Sequence, residues 1–110
     1  MDFGNNVSIN PFCYIAGEIS FGNDISVAHT SAFHSANHTW DLTNVIIDNN
    51  PVISKRIFID NDVWIGCNCV ILSGVKLSSR SIVGAGSIVT KGFDKNVLIA
   101  GNPAKVVKSI

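Results

Sequence analysis

One spacing dominates this chain. Counting every sixth residue from Phe3 lands on Phe3, Ile9, Ile15, Phe21, Val27 and Phe33; a second run lands on Ile53, Ile59, Ile65, Ile71, Leu77, Val83 and Val89. Every one is large and apolar. The residue four places later is small or apolar as well, from Val7, Cys13, Ile19 and Ile25 to Ile57, Val63, Cys69, Val75, Ser81 and Ser87. Turn formers lie between, as in Phe3-Gly4-Asn5-Asn6-Val7 and Ile59-Asp60-Asn61-Asp62-Val63. A helix would bury positions three or four apart, and a simple strand alternate ones. A period of six with two inward positions describes a short strand and a tight corner, where Gly, Asn and Asp tolerate positive φ. Three such units close a triangular coil of eighteen residues, and stacked coils pair their strands in parallel. A small β-sandwich, the competing arrangement, would show alternation with irregular loop lengths instead.

The register breaks once. Phe33 and Ile53 are twenty residues apart, which is not a multiple of six. Residues 34–52 are therefore expected to leave the coil as a loop, and loops on rigid scaffolds are where function concentrates. The end of the chain reads differently again. Asn102-Pro103-Ala104 has the pattern of a helix start, with Asn as cap and Pro at the first helical position, so residues 102–110 are expected to form a short helix or tail. The whole chain, 1–110, reads as one domain.

The balance of charge narrows the function. Eight Lys+Arg offset eight Asp+Glu, and only 15% of residues are charged against a usual value of about 25%. This excludes a disordered tail and a basic nucleic-acid-binding module. No apolar run is long enough to span a membrane and no signal-like start is present, so a soluble, cytoplasmic chain is expected. Low charge and 46% hydrophobic residues in a small domain point to surface buried against another subunit. The three cysteines, Cys13, Cys67 and Cys69, form no CxxC pair, so a disulfide framework or structural zinc site is not expected.

Four segments carry a family resemblance: Ala36-Asn37-His38-Thr39-Trp40-Asp41, Asp62-Val63-Trp64-Ile65-Gly66, Val83-Gly84-Ala85-Gly86-Ser87-Ile88-Val89-Thr90-Lys91 and Gly101-Asn102-Pro103-Ala104-Lys105-Val106-Val107. With them the chain resembles the hexapeptide-repeat acyltransferases, nearest the sugar and polysaccharide O-acetyltransferases that include the maltose and galactoside enzymes. The resemblance implies a left-handed parallel β-helix, a handedness that is an exception to the general rule for parallel crossovers. It also implies acetyl-CoA as donor, a sugar or glycan-precursor acceptor, and a homotrimer whose active sites take residues from two subunits. Members commonly carry more chain before the first coil; here Phe3-Gly4 is already repeat.

The chemistry of such a transfer needs a base for the acceptor hydroxyl and a groove that holds the thioester. The resemblance places His38, in the extruded loop, as general base in a direct single displacement. Asp41 or Asp24 is a candidate to hold its other ring nitrogen. Contacts to acetyl-CoA carry over onto Trp64, Cys67, Ala85, Thr90, Lys91, Lys105 and Lys108. Small Ala85 leaves room for a pantetheine arm, and the lysines offer point charges to phosphates. Six of the eight basic residues lie after residue 75, as an anionic ligand at that end would require. Asn10 matches an acceptor-binding Asn. His29 and His34 admit a second reading, a metal-dependent hydratase like the γ-class carbonic anhydrases, which needs three histidine ligands. A third is a non-catalytic scaffold. No metal is expected under the first reading.

Overall fold

In the computed structural model, which describes all 110 residues, the six-residue period closes into a triangular stack. One face joins Asp2–Phe3, Ile19–Phe21, Ile57–Ile59 and Lys76–Leu77 in parallel. The second joins Val7–Ile9, Ile25–Val27, Val63–Ile65, Ser81–Val83 and Val97–Gly101. The third joins Tyr14–Ala16, Ala32–His34, Val70–Ile71 and Ile88–Val89. Partners in successive coils are eighteen residues apart in Phe3↔Phe21 and Val63↔Ser81, further apart across the arm (Ile25↔Val63) and slightly closer at the last coil (Ser81↔Val97). No helix is long and apolar enough to cross a membrane.

The two inward positions of each unit form one continuous core. Ile19, Val27, Phe33, Ile57, Ile65, Ile71, Leu77 and Ile99 are all fully buried, and Phe33 meets Phe21 edge-on at 5.5 Å between ring centres. Where an inward position is serine, the hydroxyl finds a backbone oxygen. Ser31 donates to Gly66 O at 2.8 Å and Ser87 to Gly84 O at 2.6 Å. No buried side-chain polar atom is left without a partner, which removes the penalty such groups would carry.

Corners repeat with the coils. Asn6, Asp24, Asp62, Arg80 and Asn96 share one left-handed corner, with φ between 55° and 60°, and Phe12, Thr30, Asn68 and Gly86 share another. Asn and Asp suit this conformation; Phe12, Thr30 and Arg80 do not, and hold it because the stacked coils impose it. Asparagine also ties coil to coil: Asn5 N donates to Asn23 Oδ1 at 2.7 Å, and Asn23 N to Asn61 Oδ1 at 2.8 Å.

Three sequence expectations are corrected. The coil resumes at Ile57 and Ile59, not at Ile53. Ile53 sits in a two-stranded antiparallel ribbon, Ala36–His38 with Val52–Ser54, half-exposed and opposite Asn37. Its place in the six-count is a coincidence of spacing, since the partner strand and not the period sets a ribbon residue's environment. Phe3, also in that count, is half-exposed, with its ring stacked on Phe21 at 5.1 Å between centres. The C-terminal segment is a strand, not a helix. Ala104–Ser109 turns back antiparallel on Val97–Gly101 after a reversal at Gly101 (φ 108°) and a cis Asn102–Pro103 peptide. Valines at 106 and 107 favour extended chain, and an open strand edge was there to be paired.

Candidate active site

Residues between Ser35 and Ser54 form an arm thrown out of the third face. Its base is clamped by buried Ser35, whose hydroxyl accepts from Glu18 N at 2.8 Å and lies 3.2 Å from the Ser54 hydroxyl. A single buried asparagine shapes its far end. Asn50 Oδ1 accepts from Leu42 N at 2.9 Å, while its amide donates to the carbonyls of Leu42 and Ile46, both at 3.3 Å. These bonds bend the chain through a short 3₁₀ turn, Ile47–Asn49.

That bend brings a carboxylate to the imidazole. His38, the last residue of its ribbon strand, has Nε2 3.6 Å from Asp48 Oδ1, and its side chain is 52% exposed. The neighbouring acid is thus Asp48, and neither Asp41 nor Asp24, because the 3₁₀ turn folds residue 48 back over the ribbon. No sequence signal marked it. Beside His38 lies a cleft of about 180 Å³, bounded by Asn37, Trp40, Ile53, Lys55 and Ser73. Asn37 donates to Ser73 Oγ at 2.8 Å and so fixes the arm to the coils.

A second, larger hollow runs over the corner after the second face. It measures about 400 Å³ and is mostly apolar, with Trp64, Ile82 and Leu98 on one flank and His29, Cys67 and Ala85 on the other. Its floor is a column of small residues, Ala28, Gly66 and Gly84, stacked by Ala28 N→Ile65 O and Gly66 N→Val83 O. Gly66 cannot be larger: a Cβ there would lie 2.7 Å from Ala85 N and 2.9 Å from Val83 O. Expected donor contacts Trp64, Cys67 and Ala85 therefore share one groove, to which the structure adds His29 and Gly66.

The remaining expected residues lie elsewhere on the chain. Lys91 places its ammonium 5.6 Å from the Phe93 ring centre. Lys105 and Lys108 are exposed on the last strand, opposite Ala100 and Leu98, and Thr90 is exposed at the end of the third face. Asn10 stands one coil below Ala28 in the column that continues the groove floor, its N–H bonded to Val27 O at 3.0 Å. His38 and the groove share no lining residue. His34 packs its ring on Tyr14, 5.1 Å between centres, while His29 faces the groove. Within one chain, no three His, Cys, Asp or Glu side chains gather at a metal-sized site.

Known proteins resemble this chain in repeat and fold. The bacterial transferase hexapeptide family (six repeats) matches residues 56–91, the most regular coils. The galactoside O-acetyltransferase of Escherichia coli strain K12 is 33% identical over 114 residues, covering 98% of this chain and 56% of its own length. Over nearly all of its length this chain is similar to hexapeptide-repeat acetyltransferases. A Vibrio cholerae hexapeptide-repeat acetyltransferase, solved with acetyl coenzyme A, superposes with a TM-score of 0.89 at 31% identity, over 97% of this chain and 58% of that one. A maltose O-acetyltransferase from Clostridium difficile 630 gives a TM-score of 0.91 at 28% identity, over 98% and 58%. The coils are accordingly a left-handed parallel β-helix. The chain spans little more than half the length of each of these proteins.

Proposed function

We propose that the chain is an acetyl-CoA-dependent O-acetyltransferase acting on a sugar or polysaccharide precursor, with His38 as general base. The observation that carries this reading is the division of labour between two places: an apolar groove with a glycine-tight floor, and an imidazole held out on an ordered arm away from it. A homotrimer joins them, the arm of one copy reaching the groove of the next. The arm's exposed Trp40, Ile46 and Ile47 supply an apolar surface for that contact, and closed cyclic symmetry gives every copy the same pair.

In the groove, Trp64, Cys67 and Ala85 flank the pantetheine arm of the donor, and Thr90, Lys91, Lys105 and Lys108 meet its polar and phosphate groups. Asn10 contacts the acceptor. His38 takes the acceptor hydroxyl's proton as the oxygen attacks the thioester carbonyl, and the coenzyme leaves as the thiol. Asp48 Oδ1 lies 3.6 Å from Nε2 of that imidazole. Transfer is direct, with no covalent intermediate on the path.

Replacing His38 by Ala tests this. Loss of a general base lowers turnover by about 10²- to 10⁴-fold, with the trimer (sedimentation) and coenzyme A binding (calorimetry) unchanged. Turnover near that of the unmodified chain removes His38 from the mechanism.

A further inference from the structure

The cleft beside His38 holds chemistry that proton transfer does not use. Lys55 bounds it, and no carboxylate does; Asp48 is not among its walls. Lys55 is also unpaired. The ion pairs of the chain fall to His38, Arg56 and Arg80. Its neighbour in sequence shows the contrast, since Arg56 is engaged with Asp2, Ser20 and Glu18. Eight basic residues balance eight acidic ones over the whole chain, so the positive sign of the cleft is a local property.

The lysine is nonetheless held in place. Its N–H donates to Ser35 O at 2.9 Å, and its carbonyl accepts from Gly74 N at 3.1 Å, so arm and coil both fix its backbone. Gly74 occupies a left-handed corner (φ 73°), and a Cβ there would lie 3.5 Å from both Cβ and Cδ of Lys55. The methylene stem therefore runs over that corner, next to Ser73 in the cleft wall. The remaining walls suit a sugar. Trp40 and Ile53 give an apolar flank that matches the C–H face of a pyranose ring. Asn37 donates to Ser73 Oγ at 2.8 Å, which leaves the Ser73 hydroxyl proton and the Asn37 carbonyl oxygen for a ligand.

We propose that this cleft selects a sugar acceptor bearing an acidic group, with Lys55 as the counter-ion to that group while a hydroxyl of the same sugar faces His38. The acceptor role rests on the reading of His38 as general base. Lys55 determines specificity and takes no part in proton transfer. An ammonium is a point charge, so it recognises a carboxylate or a phosphate by sign more than by shape. A neutral sugar keeps the apolar flank and the Asn37 and Ser73 contacts but loses the charge pairing.

The test measures binding first, then transfer. The full chain with coenzyme A is titrated with neutral methyl glucoside, the matching uronate and the matching phosphate ester, followed by ligand-observed NMR. The expected result is about fivefold tighter binding of an acidic sugar than of the neutral one, shrinking as salt is raised. The tighter of the two acids identifies the group. In Lys55→Met the acidic and neutral sugars bind alike, and Lys55→Arg, which keeps the charge, keeps the preference. Equal binding of all three sugars, binding of none, or a preference that survives in Lys55→Met overturns the proposal. Acetyl transfer from acetyl-CoA to the same sugars separates the two readings. Equal transfer to acidic and neutral sugars overturns the selectivity and leaves the transferase reading standing. Binding that depends on Lys55 with transfer to none overturns the transferase reading and leaves the selective cleft standing.

Discussion

In the coils, Phe33, Ile65, Ile71 and Leu77 are sealed from solvent; in the arm, Trp40, Ile46 and Ile47 face it, Trp40 at 71% exposure. Both regions are apolar, yet they are held by different forces. The coils are held by burial, each inward side chain contributing about 1.5–3 kcal/mol, with backbone bonds repeating from coil to coil. The arm is held by polar clamps, Ser35 at its base and Asn50 at its tip, and spends little of its apolar surface on itself. The difference teaches that the coil stack is the scaffold, while the arm is a rigid projection whose apolar side is free for another surface.

The largest expected effect breaks the coils. Phe33→Ala removes a fully buried ring and costs about 3–5 kcal/mol, read as a fall in the denaturant midpoint; a loss below 1 kcal/mol would mean the stack is not one cooperative core. Next is the arm's clamp. Asn50→Ala leaves Leu42 N–H and Leu42 O without partners, takes one of two donors from Ile46 O, and loosens the arm by about 1–3 kcal/mol. Amide exchange over residues 42–50 then accelerates while the coils stay protected; equal acceleration in both regions would erase the distinction drawn above.

Phe12→Gly runs the other way. Phe12 is 87% exposed at a left-handed corner (φ 65°), and glycine relieves that conformation, stabilising the chain by about 0.5–1 kcal/mol after its own entropic cost. Any destabilisation would show that the ring makes a contact in the assembled protein. Smallest is Trp40→Ala, which changes monomer stability by less than about 0.5 kcal/mol yet weakens self-association in sedimentation. A large thermal loss in dilute protein would move Trp40 from interface to core.

How far the sequence could be read follows the same division. The coil was legible because inward positions recur at a fixed offset along the chain, whatever lies in neighbouring coils. Corners were legible for Asn, Asp and Gly, and illegible at Phe12, Thr30 and Arg80, where stacking overrides local preference. Ile53 fitted the count and still left the core, because pairing with the Ala36–His38 strand governs its surroundings. Asn102-Pro103 carried helix-start signals, but an unpaired strand edge recruited the segment that follows.

For the site, the family resemblance drew attention to His38 and to Trp64, Cys67 and Ala85, and the last three line one groove because they stand near one corner of successive coils. The fold of the arm alone decided that Asp48 neighbours His38, and the stack that His29 stands one coil from Cys67, since the arm's insertion separates residues that one turn of the helix would otherwise hold eighteen apart. Periodicity is a property of the chain as written, so it survives without coordinates. Which side chains meet across an insertion depends on where the arm folds back and which coils become neighbours, and that is settled only when the backbone bonds between coils are made.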